Sequence, residues 1–309
     1  MKAPRIGTRG SILARWQAEF VRKQILQATG IDAEIIIVKT TGDKLTHASF
    51  AEIGGQGVFI KELEEALLRE EIDLAVHSVK DVPTGVPSRL CFPVICRRND
   101  VRDCLITAKP GQTLLTLRKG ARLGTSSLRR AAQMRHKRPD LDVRELRGNV
   151  DTRLRKVESG EYDAILLAKA GLDRLGLNGR IAEILEPEIL MPAVGQGAIG
   201  VQARLKDEEM AEAISPLDDF ETRQSIVAER ALLGALQGGC QVPLGAWARI
   251  ERGELVMDAV VCSPDGKQML RQRSAAPPGE ARDLGQKVAE LLWSAGAGEI
   301  LAQVSRQVD

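Results

Sequence analysis

Aromatic residues make up only 3% of this 309-residue chain. That scarcity leaves few platforms on which bases could stack, which argues against nucleic acid as a partner. There are 3 histidines, His47, His77 and His136, far apart in sequence, and they offer little for a transition-metal site or a serine-type triad. The 5 cysteines (Cys91, Cys96, Cys104, Cys240 and Cys262) form an odd set with no CxxC spacing. Free thiols are therefore expected, with neither a disulfide framework nor a zinc site; metal chemistry on oxygen ligands stays open from the residues alone, while no resident metal is expected for the chain as a whole. Purely apolar runs such as Ala164–Ala168 fall far short of the roughly 20 residues that cross a bilayer, so no membrane partner is expected. The first residues, Met-Lys-Ala-Pro-Arg, lack the apolar core of a secretory signal, and the expected location is the cytoplasm.

What is abundant is charge, and it is unevenly placed. The chain has 44 Lys+Arg against 42 Asp+Glu. From Arg118 to Glu158 there are thirteen basic and five acidic residues, whereas Arg180 to Arg230 has five and eleven. A basic stretch without a single Phe, Trp or Tyr is either a solvated helix face or a site for a small polyanion bound by arginines.

Short apolar runs alternate with amphipathic ones. Strands are expected at Pro4–Thr8, Ala33–Lys39 and Leu74–His77, with helices at Ser11–Ala28 and Phe59–Arg69 between them. A second round places strands at Ala121–Gly124, Val143–Leu146 and Ala164–Ala168, and helices at Ser126–Lys137 and Val150–Glu158. Two similar α/β lobes with parallel strands follow. Beyond Pro216 a long helix, Phe220–Leu236, precedes β-rich runs with turns at Glu251–Gly253 and Pro264–Gly266, then a closing helix from about Gly279, as in a small α+β domain. Ligands of open α/β sheets collect beyond the carboxyl ends of strands.

The candidate residues sit at such ends. Gly124-Thr125-Ser126-Ser127-Leu128-Arg129-Arg130 leaves a strand and opens a helix, where first-turn N–H groups, hydroxyls and paired arginines can hold an anion; the bland alternative is an N-cap followed by exposed arginines. Leu146-Arg147-Gly148-Asn149-Val150-Asp151-Thr152-Arg153 repeats the arrangement, as does Thr8-Arg9-Gly10-Ser11 in the first lobe. Gly54-Gly55-Gln56-Gly57 alone reads as a turn. Val76-His77-Ser78-Val79-Lys80-Asp81-Val82-Pro83 sets a lysine beside an aspartate: an acid/base or cation-stabilising carboxylate, or merely a surface ion pair. Cys240, on a glycine-flanked turn before Pro243, is either a small buried hydrophobe or a reactive thiol. The other four cysteines, in apolar strand-like settings, are expected in the core. From the residues alone, a two-lobe anion-binding protein with a candidate thiol is as far as the reading goes.

These segments, with Pro192-Ala193-Val194-Gly195-Gln196-Gly197 and Gly239-Cys240-Gln241-Val242-Pro243, resemble in content and order the motifs of the porphobilinogen deaminase (hydroxymethylbilane synthase) family, over nearly the whole chain. The resemblance implies a fold of two type II periplasmic-binding-protein-like α/β lobes plus a small α+β C-terminal domain. The implied division is 1–97 with 198–215, then 98–197, then 216–309, the segment from Ala198 returning to complete the first domain. It implies a monomeric transferase of tetrapyrrole biosynthesis that joins four porphobilinogen molecules head to tail into hydroxymethylbilane and releases four ammonia. The implied primer is a dipyrromethane cofactor made from two porphobilinogen units and held by Cys240 through a thioether.

By the same resemblance Asp81 is the catalytic carboxylate. Ser11, Lys80, Thr125, Ser127, Arg129, Arg130, Arg147 and Gly148 contact the cofactor, while Arg9, Arg153, Arg174 and Gln196 contact substrate rings. Each pyrrole carries two carboxylates, which accounts for the basic stretch. One position departs from the pattern: Gln56 stands where many members have lysine, so that a carboxylate contact is either lost or supplied by Lys61. The competing readings differ in class. A non-catalytic anion-binding protein would need neither Cys240 nor Asp81, and a transcription-factor effector domain would need a helix-turn-helix for which no segment is spare.

Overall fold

The computed structural model describes residues 3–39, 60–236 and 242–305. They fall into two compact units, one from the residues up to Asn99 with Gly197–Arg223, the other from Asp100–Gln196 with the residues from Gln224 on.

The first unit is built on strands β1 (Arg5–Thr8), β2 (Glu34–Ile37), β3 (Leu74–Ser78) and β4 (Leu90–Ile95), and helices α1 (Ile12–Thr29) and α2 (Lys61–Leu68). In the second unit come β5 (Asp103–Thr107), β6 (Arg122–Gly124), α3 (Leu128–Lys137), β7 (Asp142–Arg144), α4 (Val150–Glu158), β8 (Ala164–Ala168), α5 (Lys169–Arg174) and β9 (Glu183–Leu185). The chain then returns through β10 (Ile199–Arg204) and α6 (Glu208–Ile214), and both belong to the first unit.

The two sheets share one plan. Their orders are β2-β1-β3-β10-β4 and β7-β6-β8-β5-β9. In each, the first three strands are parallel and the fourth runs antiparallel to both neighbours. The all-parallel expectation is therefore corrected: β10 and β5 are the strands by which the chain returns to one sheet and enters the other, and a strand inserted that way carries no right-handed βαβ crossover to fix it parallel. The same five-stranded α/β plan thus occurs twice.

The repetition reaches the side chains. Arg5-Ile6-Gly7-Thr8 in β1 is matched by Arg122-Leu123-Gly124-Thr125 in and after β6. Arg5 donates from its backbone N and its Nε to Asp73 Oδ2 (2.9 and 3.0 Å) and from Nη2 to Glu70 O (2.7 Å). Arg122 does the same to Asp163 Oδ2 (2.9 and 3.0 Å) and Gly160 O (2.8 Å). A Cβ on Gly7 would lie 2.3 Å from Ile72 Cδ1, and one on Gly124 would lie 2.7 Å from Tyr162 Cδ1. Glycine at these two strand positions lets the preceding turn close over the sheet.

Strand alternation fills both faces. Leu74 and Val76 face a cluster with Ile6, Val21 and Ile25, while Ala75 faces Leu63, Leu67 and Ile72. Likewise Ala164 and Leu166 join Leu123 and Met134, while Ile165 and Leu167 join Leu154 and Tyr162. Beyond the lobes, α7 (Phe220–Ala235), the antiparallel meander β11 (Leu244–Glu251), β12 (Glu254–Cys262) and β13 (Met269–Ala276), then α8 (Ala281–Ser294) and α9 (Ala297–Ser305) make the α+β part. The expected turns at Glu251–Gly253 and Pro264–Gly266 join these strands. Its core sets Leu232 and Leu236 with Leu255, Met257, Leu284 and Val288. Cys96, Cys104 and Cys262 are buried; burial pushes the last two thiols up, to about 12 and about 11. Cys91, expected in the core, is only half-buried because it lies on the edge strand β4. No described helix is long and apolar enough to cross a membrane.

Candidate functional site

Site residues in the first unit gather at the carboxyl ends of β1 and β3. Arg9, partly buried, follows β1, and Ser11 caps α1 by accepting from Ala14 N (3.2 Å). β3 runs straight into a single 3-10 turn, Val79–Asp81, that carries Lys80 and Asp81. Asp81 is exposed, and no hydrogen bond or ion pair ties its carboxylate to a described residue. The surface Lys80–Asp81 pair is thus not formed. Gln17, buried in the second turn of α1, donates from Nε2 to Ser78 Oγ (2.7 Å) and joins the two motifs. Sequence reading missed Gln17; its only signal was a polar residue on the apolar face of the helix.

Behind this turn, His77 is fully enclosed. Its Nε2 lies 3.0 Å from Gln202 Oε1, and Gln202 Nε2 donates to Glu64 Oε1 (2.9 Å). Since the amide nitrogen is committed to Glu64, its oxygen must accept, so His77 carries its proton on Nε2. Burial pushes the His77 imidazole down to about 4, against the Gln202 hydrogen bond, which favours the charged form. The unfolded chain therefore takes up a proton near pH 6.5 that the folded chain refuses until about pH 4. Stability from this group is complete above pH 6.5 and falls as pH drops, by about 2 kcal/mol between pH 7 and pH 5. Urea titrations at those two pH values should show that loss in the native chain and a clearly smaller one in His77→Gln. Equal losses would sink the assignment.

In the second unit, Ser127 and Asn149 cap α3 and α4, accepting from Arg130 N (3.4 Å) and Thr152 N (3.0 Å). Thr125 Oγ1 accepts from Ser127 N (3.2 Å). Capping and anion binding are not exclusive, because a capping hydroxyl keeps its own proton to donate. Gly148 has φ 110°, and a Cβ there would lie 2.7 Å from Thr152 Cγ2. Its carbonyl accepts from Arg153 Nε (2.7 Å). Arg147 is half-buried and pairs with Glu145 at 2.8 Å.

Arg129 and Arg130 are not the exposed arginines of the bland alternative; both are buried on Asp103, which is 0% exposed. Arg129 Nη1 donates to Asp103 Oδ2 and to Met191 O, both at 2.7 Å. Arg130 donates from Nη2 (2.7 Å) and Nε (3.2 Å) to Asp103 Oδ1, and from Nη1 to Leu166 O (3.0 Å). Gln196 Nε2 adds a donor to Asp103 Oδ1 at 2.9 Å. Burial alone would raise the Asp103 carboxyl, but the two guanidinium charges outweigh it and hold the group well below the usual carboxylate range. Asp103 escaped sequence reading: it lies 26 residues from the arginines, and only the insertion of β5 beside β8 brings them together. Arg174, at the end of α5, is buried as well. Cys240 and Gln56 lie outside the described residues, and Lys61 is exposed at the start of α2.

The charges near Arg130 do not cancel. Arg153 is held by neutral oxygens, Gly148 O and Ser126 Oγ (3.3 Å). Burial, and then the charge of Arg130, push its guanidinium down to about 10. Arg129 and Arg130 thus share one carboxylate, Asp103, Arg153 beside them is held by Gly148 O and Ser126 Oγ, and the buried Arg129 Nε has no hydrogen-bond partner among the described residues. Surplus cations, two buried and one partly buried, with hydroxyls and a helix N-terminus beside them suit a ligand that brings several carboxylates. A group made of acetate- and propionate-bearing pyrroles fits that donor set.

Fold and site together define a two-lobe α/β protein of the type II periplasmic-binding-protein-like class, with an arginine-rich cluster at strand ends of the second unit and an α+β domain appended. Residues 5–212 match the family model of the porphobilinogen deaminase dipyromethane cofactor binding domain, and residues 224–294 that of the porphobilinogen deaminase C-terminal domain. The chain belongs to the porphobilinogen deaminase family. It is 48% identical over 301 residues to the porphobilinogen deaminase of Syntrophotalea carbinolica, covering 97% of this chain and 95% of that one. It is 46% identical over 304 residues to that of Syntrophobacter fumaroxidans, covering 98% of each. Among solved structures, a methionine-binding protein aligns with a TM-score of 0.44 at 14% identity, over 72% of this chain and 90% of that one.

Proposed function

We propose that this chain joins four porphobilinogen molecules head to tail onto a dipyrromethane primer, releasing four ammonia, and that water then cuts off the tetrapyrrole as hydroxymethylbilane and leaves the primer in place. The observation that carries the reading is the surplus of positive charge at Arg129, Arg130 and Arg153 against the single carboxylate of Asp103. A growing chain of pyrroles adds two carboxylates per ring, and only a site with cations to spare can take them up. When bound, the cofactor supplies a covalently held starting ring pair, so that growing chains are not lost to solvent.

In this reading Cys240 holds the primer through a thioether. Ser11, Lys80, Thr125, Ser127, Arg129, Arg130, Arg147 and Gly148 hold its carboxylates, and Arg9, Arg153, Arg174 and Gln196 serve the incoming rings. Asp81 is the catalytic carboxylate of this reading. Loss of ammonia leaves positive charge on the pyrrole, and an unpaired, exposed carboxylate can approach the ring nitrogens, stabilise that charge and shuttle protons. Division at 97/98, 197/198 and 215/216 into three domains, a monomeric state and a cytoplasmic location complete the proposal.

The test is the intact mass of the denatured protein as isolated, beside Cys240→Ser. The expected excess is two porphobilinogen units less two ammonia, present in the first and absent in the second. No excess in the unmodified protein, even after incubation with porphobilinogen, would leave only a non-catalytic anion-binding protein.

A further inference from the structure

The arginine pair is held by Asp103, and Asp103 is in turn held by Gln196, which sits on a turn between two left-handed glycines, Gly195 (φ 73°) and Gly197 (φ 88°). What fixes that turn is a residue with no role in the reading above. Glu229, on α7 and 0% exposed, accepts from Gly195 N with Oε2 (2.7 Å) and from Ala248 N with Oε1 (2.9 Å). One carboxyl group thereby clasps the turn to β11. The clasp is reinforced beside it: Ala246 N donates to Pro192 O (2.9 Å), and a Cβ on Gly245 would lie 2.8 Å from Met191 O. That same Met191 carbonyl accepts from Arg129. An unbroken buried path therefore runs from Glu229 through Gly195 and Gln196 to Asp103 and both arginines.

We propose that Glu229 is a positioning residue for the carboxylate-binding arginines, acting through the Gly195–Gln196 turn and Asp103; this rests on the function proposed above. A side chain is needed there because the turn's left-handed residues cannot join a ladder, and the Gly195 N–H, once buried, must find an acceptor. A carboxyl group with two oxygens can satisfy it and a strand N–H together, so helix, strand and turn move as one body. Removing it frees the turn, and with it the Gln196 amide that orients Asp103.

The test is a double-mutant cycle on apoprotein, read as the half-time of mass gain on adding porphobilinogen. Glu229→Gln keeps the shape but can offer only one acceptor oxygen, and Gln196→Ala cuts the path one step on. Each should slow attachment about tenfold, and the double variant should be no slower than about the slower single, since both break the same path. KM for porphobilinogen in the loaded proteins should follow the same pattern. Multiplying effects, about a hundredfold in the double variant, would overturn the positioning role and leave Glu229 a general stabiliser. No mass gain and no turnover in the unmodified protein would overturn the functional reading itself, and this inference with it. Should Glu229→Gln fail to fold, Glu229→Asp, which retains the charge and reaches one N–H, carries the same cycle.

Discussion

Asp103→Asn is expected to cost this protein about 3–5 kcal/mol and most of its capacity to acquire the cofactor. The carboxylate is wholly buried and takes hydrogen bonds from Arg129, Arg130 and Gln196. Burying three charges is not in itself favourable, but removing the one anion leaves two desolvated guanidiniums facing each other, and that residual repulsion is the large term. Asn keeps the shape and one acceptor oxygen, so the loss is electrostatic and not a cavity. Because the carboxyl is held far below the ordinary range, its contribution is constant above about pH 5 and is lost progressively as pH falls below that. Urea unfolding followed by tryptophan fluorescence measures the stability term, and intact mass after incubation with porphobilinogen measures the functional one. A loss below about 1 kcal/mol would mean that water reaches the triad.

The opposite profile is expected at Asp81. Asp81→Asn should lower turnover by about a hundred- to a thousandfold, the range seen when one transition-state-stabilising group is removed. Stability should move by no more than about 0.5 kcal/mol, since the residue is exposed and no described group depends on it. The mass of attached cofactor should be unchanged when the variant is supplied with preassembled primer. Asp81→Glu, displaced by one methylene, should retain a measurable fraction of activity. Near-normal turnover in the Asn variant would remove Asp81 from the chemistry. Set side by side, the two variants separate a group that holds the site from a group that acts in it.

Much of this was legible in the chain itself. The helices Ser11–Ala28 and Val150–Glu158, the strand Ala164–Ala168 and the hairpin turns of the last domain are local matters of apolar period and turn chemistry, and they appear within a residue or two of expectation. So are the Thr/Ser-rich strand ends, whose hydroxyls both cap helices and face the site. The asymmetry of charge was countable and pointed correctly to arginines with more to do than sit in solvent.

What the sequence by itself determined, then, was whatever depends on neighbours three or four residues away: element type, caps, turns, and the family signature those short motifs spell. Tertiary structure alone decided which charges meet. Asp103 reaches Arg129 and Arg130 because β5 is threaded antiparallel between β8 and β9. His77 stays neutral because the packing of β10 against β3 buries it, which outweighs the Gln202 hydrogen bond that favours its charged form. Glu229 meets Gly195 across 34 residues because a left-handed turn leaves one N–H in need of an acceptor. Local patterns carry no information about such partners: long-range pairing is set by the order of strands in the sheet, and the cost of burying an unpaired polar group enforces it only after the chain has folded.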